Sequence, residues 1–209
     1  MMASLDAFSI TLRGKSCHAS MPENGADPVV AAAQLMLALQ TIPARRLFPL
    51  ASAVVSITQI NGGEAINVIP EDMVLRGTLH CLQSDVRVKV RKMIDEFFTD
   101  LTAPLGIVGN ITYLTDYPVT CNHAAEAEKV KNCALALLPA GQVHWEVNPS
   151  MASEDFACML EACHGAYFWI VPIAQPLPAR CIMPITILMM TLSQKAWPCG
   201  QGWQNSCYL

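Results

Sequence analysis

Gly14-Lys15-Ser16-Cys17-His18-Ala19-Ser20-Met21-Pro22, followed by Asn24-Gly25-Ala26-Asp27-Pro28-Val29, joins two segments of different period. Before it, Phe8, Ile10 and Leu12 alternate with Ser9, Thr11 and Arg13, the period-two pattern of a half-buried strand. After it, Val30, Ala33 and Leu37 fall on one stripe of a helix expected over 28–41 and ending near Pro43. Asp27-Pro28 reads as an N-cap followed by the first helical residue, and Gly14 and Gly25 read as turn formers. The stretch is a strand-to-helix connection. It carries one imidazole, His18, on a loop where a scaffold can present it outward.

The pattern continues downstream. Residues 53–60 are rich in β-branched side chains (Val54, Val55, Ile57, Thr58) and stop at Asn61-Gly62-Gly63, a turn signal. Met73, Leu75 and Leu79 alternate with Val74, Arg76 and Thr78 in another strand. Ser84 is expected to cap a helix whose Val86, Val90, Met93, Phe97 and Leu101 share a face, ending at Pro104 and Gly106. Residues 107–117 complete the series, with Ile111 and Tyr113 on one side. Strand, helix, strand, strand, helix, strand is the split βαβ order: a four-stranded antiparallel sheet with both helices on one face. The fold class is therefore α+β, with a ferredoxin-like βαββαβ domain at residues 6–117. The open sheet face, or an edge strand and the helix beside it, offers a self-pairing surface.

Pro118 opens a second region. It is expected to hold a helix over 122–138, a short strand over 143–147, a helix capped by Ser153 with Glu154 and Asp155 in its first turn, and a buried strand over 165–170.

Composition removes several functions. The 209 residues carry a net charge of −4, which argues against a nucleic-acid partner. The nine cysteines form no CxxC pair, and MMASLDAF lacks the basic and apolar regions of a secretory leader; both point to a reducing, cytoplasmic setting. The one long apolar run, residues 182–192, is too short to span a membrane and contains Pro184, so no membrane partner is expected.

Three quoted stretches together are similar to one family. GKSCHASMPENGADPVVAAAQ resembles the lid motif of the zinc amidohydrolases and metallopeptidases that include hippurate hydrolase, aminoacylase and indole-acetyl-amino-acid hydrolase. INGGEAINVIPEDMVLRGTLH resembles their GG-x-A-x-NVIP segment and the RGT strand after it, and MASEDFACML resembles their SEDF helix. The resemblance implies a lid and dimerisation domain followed by part of an α/β catalytic domain at 118–170. It also implies a homodimer through the lid. In intact relatives, two divalent metals, zinc or manganese, activate the water that attacks the amide of an N-acyl amino acid, with a glutamate as general base.

By the same resemblance, His18 is the lid histidine lent across the dimer to stabilise the oxyanion, a catalytic role. Asn67 matches the NVIP asparagine and is implied to bind substrate. Arg76, on the next strand, can pair bidentately with a substrate carboxylate or be a solvated sheet-face charge. No metal ligand is assigned. The family's ligand segments are absent from this frame, and His80, His123, His144 and His164 lie outside its motifs. Glu154-Asp155 is read as dipole complementation at a helix start.

The resemblance stops after Ile170. Residues 171–209, rich in Pro and Cys, are expected to be an out-of-frame tail. Reading across codons, Met183-Pro184 forces Ala, Met189-Met190 and Met190-Thr191 force Asp, and Trp197-Pro198 forces Ala; the adjoining steps allow the family's last histidine segment and C-terminal helix. The expectation is a chain shortened at its start and frameshifted near 170–173, a fragment of an amidohydrolase that is inactive alone. The competing readings are a non-catalytic dimerisation module and a small-molecule-sensing ferredoxin-like domain.

Overall fold

The computed structural model describes residues 1–170 and 185–189, which divide into two compact units: 1–120 with 148–155, and 121–147 with the residues from 156 onward. In the first unit, β1 (Leu5–Arg13), β2 (Cys17–His18), α1 (Pro28–Thr41), β3 (Ala53–Gly62), β4 (Val68–Ile69), β5 (Asp72–Cys81), α2 (Ser84–Thr102) and β6 (Val108–Tyr117) follow in chain order. The main sheet has the order β3-β5-β1-β6 and every neighbouring pair is antiparallel. This is the expected α+β, ferredoxin-like arrangement.

The alternation on β1 and β5 sets the sidedness of the sheet. Ile10 lies opposite Leu75 on β5 and Ile111 on β6, so inward residues stack across three strands. Phe8, Ile10, Leu12, Leu75 and Leu79 are buried against Ala31, Ala32, Leu35 and Leu39 of α1 and Val86, Val90 and Ile94 of α2. Each large side chain so buried contributes about 1.5–3 kcal/mol. The other face carries Ser9, Thr11, Arg76 and Thr78, half-buried or exposed.

The cap on α1 is as expected: the Asp27 carboxylate accepts from the N–H groups of Val29 (2.8 Å) and Val30 (3.4 Å). The buried stripe is not. Ala31, Ala32, Leu35 and Leu39 face the core, whereas Val30 (47% exposed) and Leu37 (73% exposed) face solvent together with Ala33. This helix is apolar nearly all round, so periodicity could not choose between its stripes. The paired small side chains of Ala31 and Ala32 allow the close approach to the sheet.

Ser84 is the first residue of α2 and not its cap; the N-cap position is Gln83, in extended conformation, with no side-chain cap bond. The helix closes through a tight turn at Ala103–Leu105 and Gly106 at φ 68°, the left-handed glycine that commonly ends helices.

In the second unit, α3 (Ala124–Leu137), α4 (Phe156–Ala162), β7 (Ala166–Ile170) and β8 (Ile185–Met189) are formed. Asn122 imitates a strand edge: its Nδ2 donates to Tyr167 O and its Oδ1 accepts from Tyr167 N–H, both at 2.8 Å. Residues 143–147 form no strand; they follow the short turn Ala140–Gln142 in irregular backbone. Ser153, Glu154 and Asp155 all precede α4, so the two acids do not lie in its first turn as expected. Just upstream, residues 148–155 belong to the first unit, where Ser150 O and Ala152 O accept from Ala3 N–H and Ser150 N–H donates to Met1 O.

Most of the tail expected to be out of frame lies outside the described residues. Ile185–Met189 are the exception, and they pair antiparallel with β7, with Phe168 opposite Ile187. No strand is expected after residue 170, and the structure forms one there. A run of Ile, Thr, Ile, Leu and Met has β propensity whatever its origin.

Candidate functional site

The connection between β1 and α1 folds back on itself. Lys15 N–H donates to Ala26 O (2.9 Å) and Ala26 N–H donates to Lys15 O (3.0 Å), closing the loop that carries His18. Gly14 and Gly25 make that closure possible, though not as positive-φ turn formers. Gly25 has φ −122°, and among the described residues the left-handed glycines are Gly63 and Gly106. What Gly14 and Gly25 permit is contact: a Cβ on Gly25 would overlap Cys17 Sγ and stand 2.7 Å from Lys15 O, and one on Gly14 would overlap Ala26 O. Gly25→Ala is therefore expected to cost about 1–3 kcal/mol by overpacking. Faster hydrogen exchange at the Lys15 and Ala26 amides would report it.

The closed loop then pairs with a distant segment. Cys17 lies opposite Ile69 and His18 opposite Val68 in a short antiparallel ribbon. Ala19 N–H extends it by donating to Asn67 O (2.9 Å), and Ser16 Oγ donates to Ile69 O (2.9 Å). Asn67 therefore adjoins the ribbon one residue from Val68, the partner of His18, and both His18 and Asn67 are exposed. His18 Nδ1 is engaged by Ser20, at 3.1 Å from its N and 2.8 Å from its Oγ.

Arg76 is not on this ribbon. It lies on β5 between Ser9 and Gln59, on the sheet face away from the helices, and its Nη1 donates to Gln59 Oε1 (3.2 Å).

Sequence reasoning missed one cluster. Asp6 is fully buried on the core side of β1 and accepts from Arg87 Nε (2.8 Å), Arg87 Nη2 (2.7 Å) and Arg91 Nη1 (3.3 Å). Arg87 also pairs with Asp116, and the Arg91 guanidinium lies over the Tyr113 ring at 4.0 Å. The signal was present: Asp6 continues the inward register of Phe8, Ile10 and Leu12, and an acid there demands a cation. Beside it, burial pushes the Cys81 thiol up to about 12, so this cysteine is chemically inert.

The remaining histidines do not build a centre. Burial pushes the His80 imidazole below its usual range, against the smaller effects of a Ser4 hydrogen bond and the Asp6 charge. His123 and His164 stack at 4.4 Å between ring centroids, and His123 Nδ1 accepts from Gly165 N–H. Near-parallel rings send their lone pairs side by side instead of to one point, so the pair is no chelate. Among the described residues, no three His, Cys, Asp or Glu side chains are placed to hold a metal ion. They do not fit a dinuclear centre.

Residues 4–104 match the M20 peptidase dimerisation domain. The chain belongs to the M20 peptidase family. It is 36% identical over 172 residues to N-acetyl-L-cysteine deacetylase of Bacillus subtilis, covering 80% of this chain and 39% of that one. It is 33% identical over 169 residues to hippurate hydrolase of Campylobacter jejuni, covering 80% and 44%. A dinuclear metal-binding M20 peptidase from Bacillus subtilis superposes with a TM-score of 0.58 at 29% identity, covering 79% of this chain and 40% of that one. The M20 chain described here thus spans about two fifths of the length of these relatives. No helix among its described residues is long and apolar enough to cross a membrane.

Proposed function

We propose that this chain is the lid and dimerisation part of a metal-dependent amidohydrolase acting on N-acyl amino acids or related amides, and that it is inactive alone. The observation that carries the reading is the closed loop that holds His18 exposed and is tied by a short ribbon to the segment of Asn67. In this reading His18 donates to the oxyanion, Asn67 holds substrate polar groups and Arg76 takes its carboxylate. The two divalent metals, zinc or manganese, are held by residues other than those described. Domain limits of 6–117, 118–170 and 171–209 belong to the same reading, as does a cytoplasmic location, for which the nine cysteines without a CxxC pair are the support.

A homodimer through this unit is part of the proposal. β3 is an edge strand, and α1, whose Gln40 reaches Val55 O of β3, turns Val30 and Leu37 outward. Phe48 and Leu50, on the connection between them, are also exposed. A helix apolar on both sides is built to be covered on both. Leu37→Glu is expected to convert a dimer into a monomer, read by sedimentation velocity. A wild-type monomer would refute the dimer.

The deciding experiment is mixing. The purified chain with zinc or manganese is expected to give no turnover of N-acyl amino acids. Added to an intact M20 relative whose own lid histidine is replaced by alanine, it is expected to restore turnover in mixed dimers. Chelator-sensitive turnover by the chain alone would overturn the reading. Mixed dimers that stay inactive would leave a non-catalytic dimerisation module, which the exposed stripe of α1 independently favours.

A further inference from the structure

We propose that Ser20 is a positioning residue for His18: it holds the imidazole in the tautomer whose Nε2 carries the proton. The inference rests on the reading of His18 as the lent histidine, but its physical content stands on two contacts. Ser20 N lies 3.1 Å from His18 Nδ1, and Ser20 Oγ lies 2.8 Å from the same atom. A backbone N–H can only donate. Nδ1 must therefore present its lone pair, and the hydroxyl, which can play either part, must donate as well. A neutral imidazole has one donor and one acceptor nitrogen, so the proton resides on Nε2.

The consequence is chemical. An oxyanion is stabilised by a donor and repelled by a lone pair. An exposed imidazole free to rotate or to exchange tautomers would offer the wrong nitrogen for part of the time. Here the ring is gripped on its Nδ1 side by a residue two positions along, and the turn that brings Ser20 back is closed by Met21 N–H donating to His18 O (2.9 Å). The Nε2–H is the end left for an outside acceptor. A short polar residue at position 20 can supply both a main-chain and a side-chain donor to Nδ1; alanine there keeps only the first.

The test is imidazole nitrogen NMR on the 15N-labelled chain at mildly alkaline pH, with His18→Gln to assign the resonance. The expected spectrum has His18 Nε2 protonated, Nδ1 unprotonated and one side-chain rotamer. Ser20→Ala is expected to give averaged nitrogen shifts and averaged rotamers, and Ser20→Thr, which keeps the hydroxyl, to restore the pattern. A protonated Nδ1 in the parent chain, or a pattern unmoved by Ser20→Ala, would overturn the proposal. In the mixed-dimer assay, Ser20→Ala is expected to lower kcat about three- to tenfold with little change in KM, the scale of one hydrogen bond. The two failures are separable. A held Nε2–H ring in the isolated chain, with no rescue of the relative, would refute the lent-histidine role and leave the positioning intact.

Discussion

Asp6→Ala is expected to lower the unfolding free energy of the first unit by about 3–5 kcal/mol, the cost of breaking a buried ion pair by removing one partner. Asp6 has no exposure to solvent and receives three hydrogen bonds from Arg87 and Arg91. Truncation removes the carboxylate but leaves two guanidiniums facing the space it filled. Arg87 retains Asp116, and Arg91 is about a third exposed, so the lower end of that range is expected. The loss exceeds a simple cavity because a charge without its partner must be solvated or moved. Asp6→Asn keeps the shape and one acceptor, and should cost less. Urea denaturation followed by the midpoint at constant slope measures both. An Asp6→Ala midpoint equal to the parent's would mean that the cluster carries no net stability.

His18→Ala is expected to abolish rescue in the mixed dimer, by about a hundred- to a thousandfold in kcat, the scale on which a single oxyanion donor acts. The residue is exposed and its side chain packs in no core, so stability should be unchanged. That separation makes the variant informative: a fall in activity at constant midpoint assigns the loss to chemistry. Arg76→Ala should instead raise KM for substrates with a free carboxylate and spare those in which it is amidated. Retained rescue by the His18→Ala chain would remove His18 from the reaction.

The local parts of this protein were legible because their causes are local. Alternation on β1 and β5 follows from the two-residue period of a strand, and the Asp27 cap from a carboxylate two residues ahead of a free N–H. The stripe of α1 was misread for the opposite reason. A helix with apolar side chains on both sides has no intrinsic inside, and the sheet decides it through Ala31, Ala32, Leu35 and Leu39. Gly14 and Gly25 were noticed as glycines, but their cause is a contact between Lys15 and Ala26 that only the closed loop displays.

The candidate site divides in the same way. The motif around His18 marks the residue, and the strand order places it between β1 and α1. The tie between its loop and the Asn67 segment depends on pairing β2 with β4 across some fifty intervening residues, for which no periodicity speaks. The burial of Asp6 beside Arg87 and Arg91 likewise needs α2 laid across β1. The sequence alone determined the family, the order of the six main elements of the first unit and the loop that carries the histidine. Tertiary structure decided which helix face is hidden and which polar groups meet across the sheet, because those outcomes depend on contacts between segments far apart in the chain.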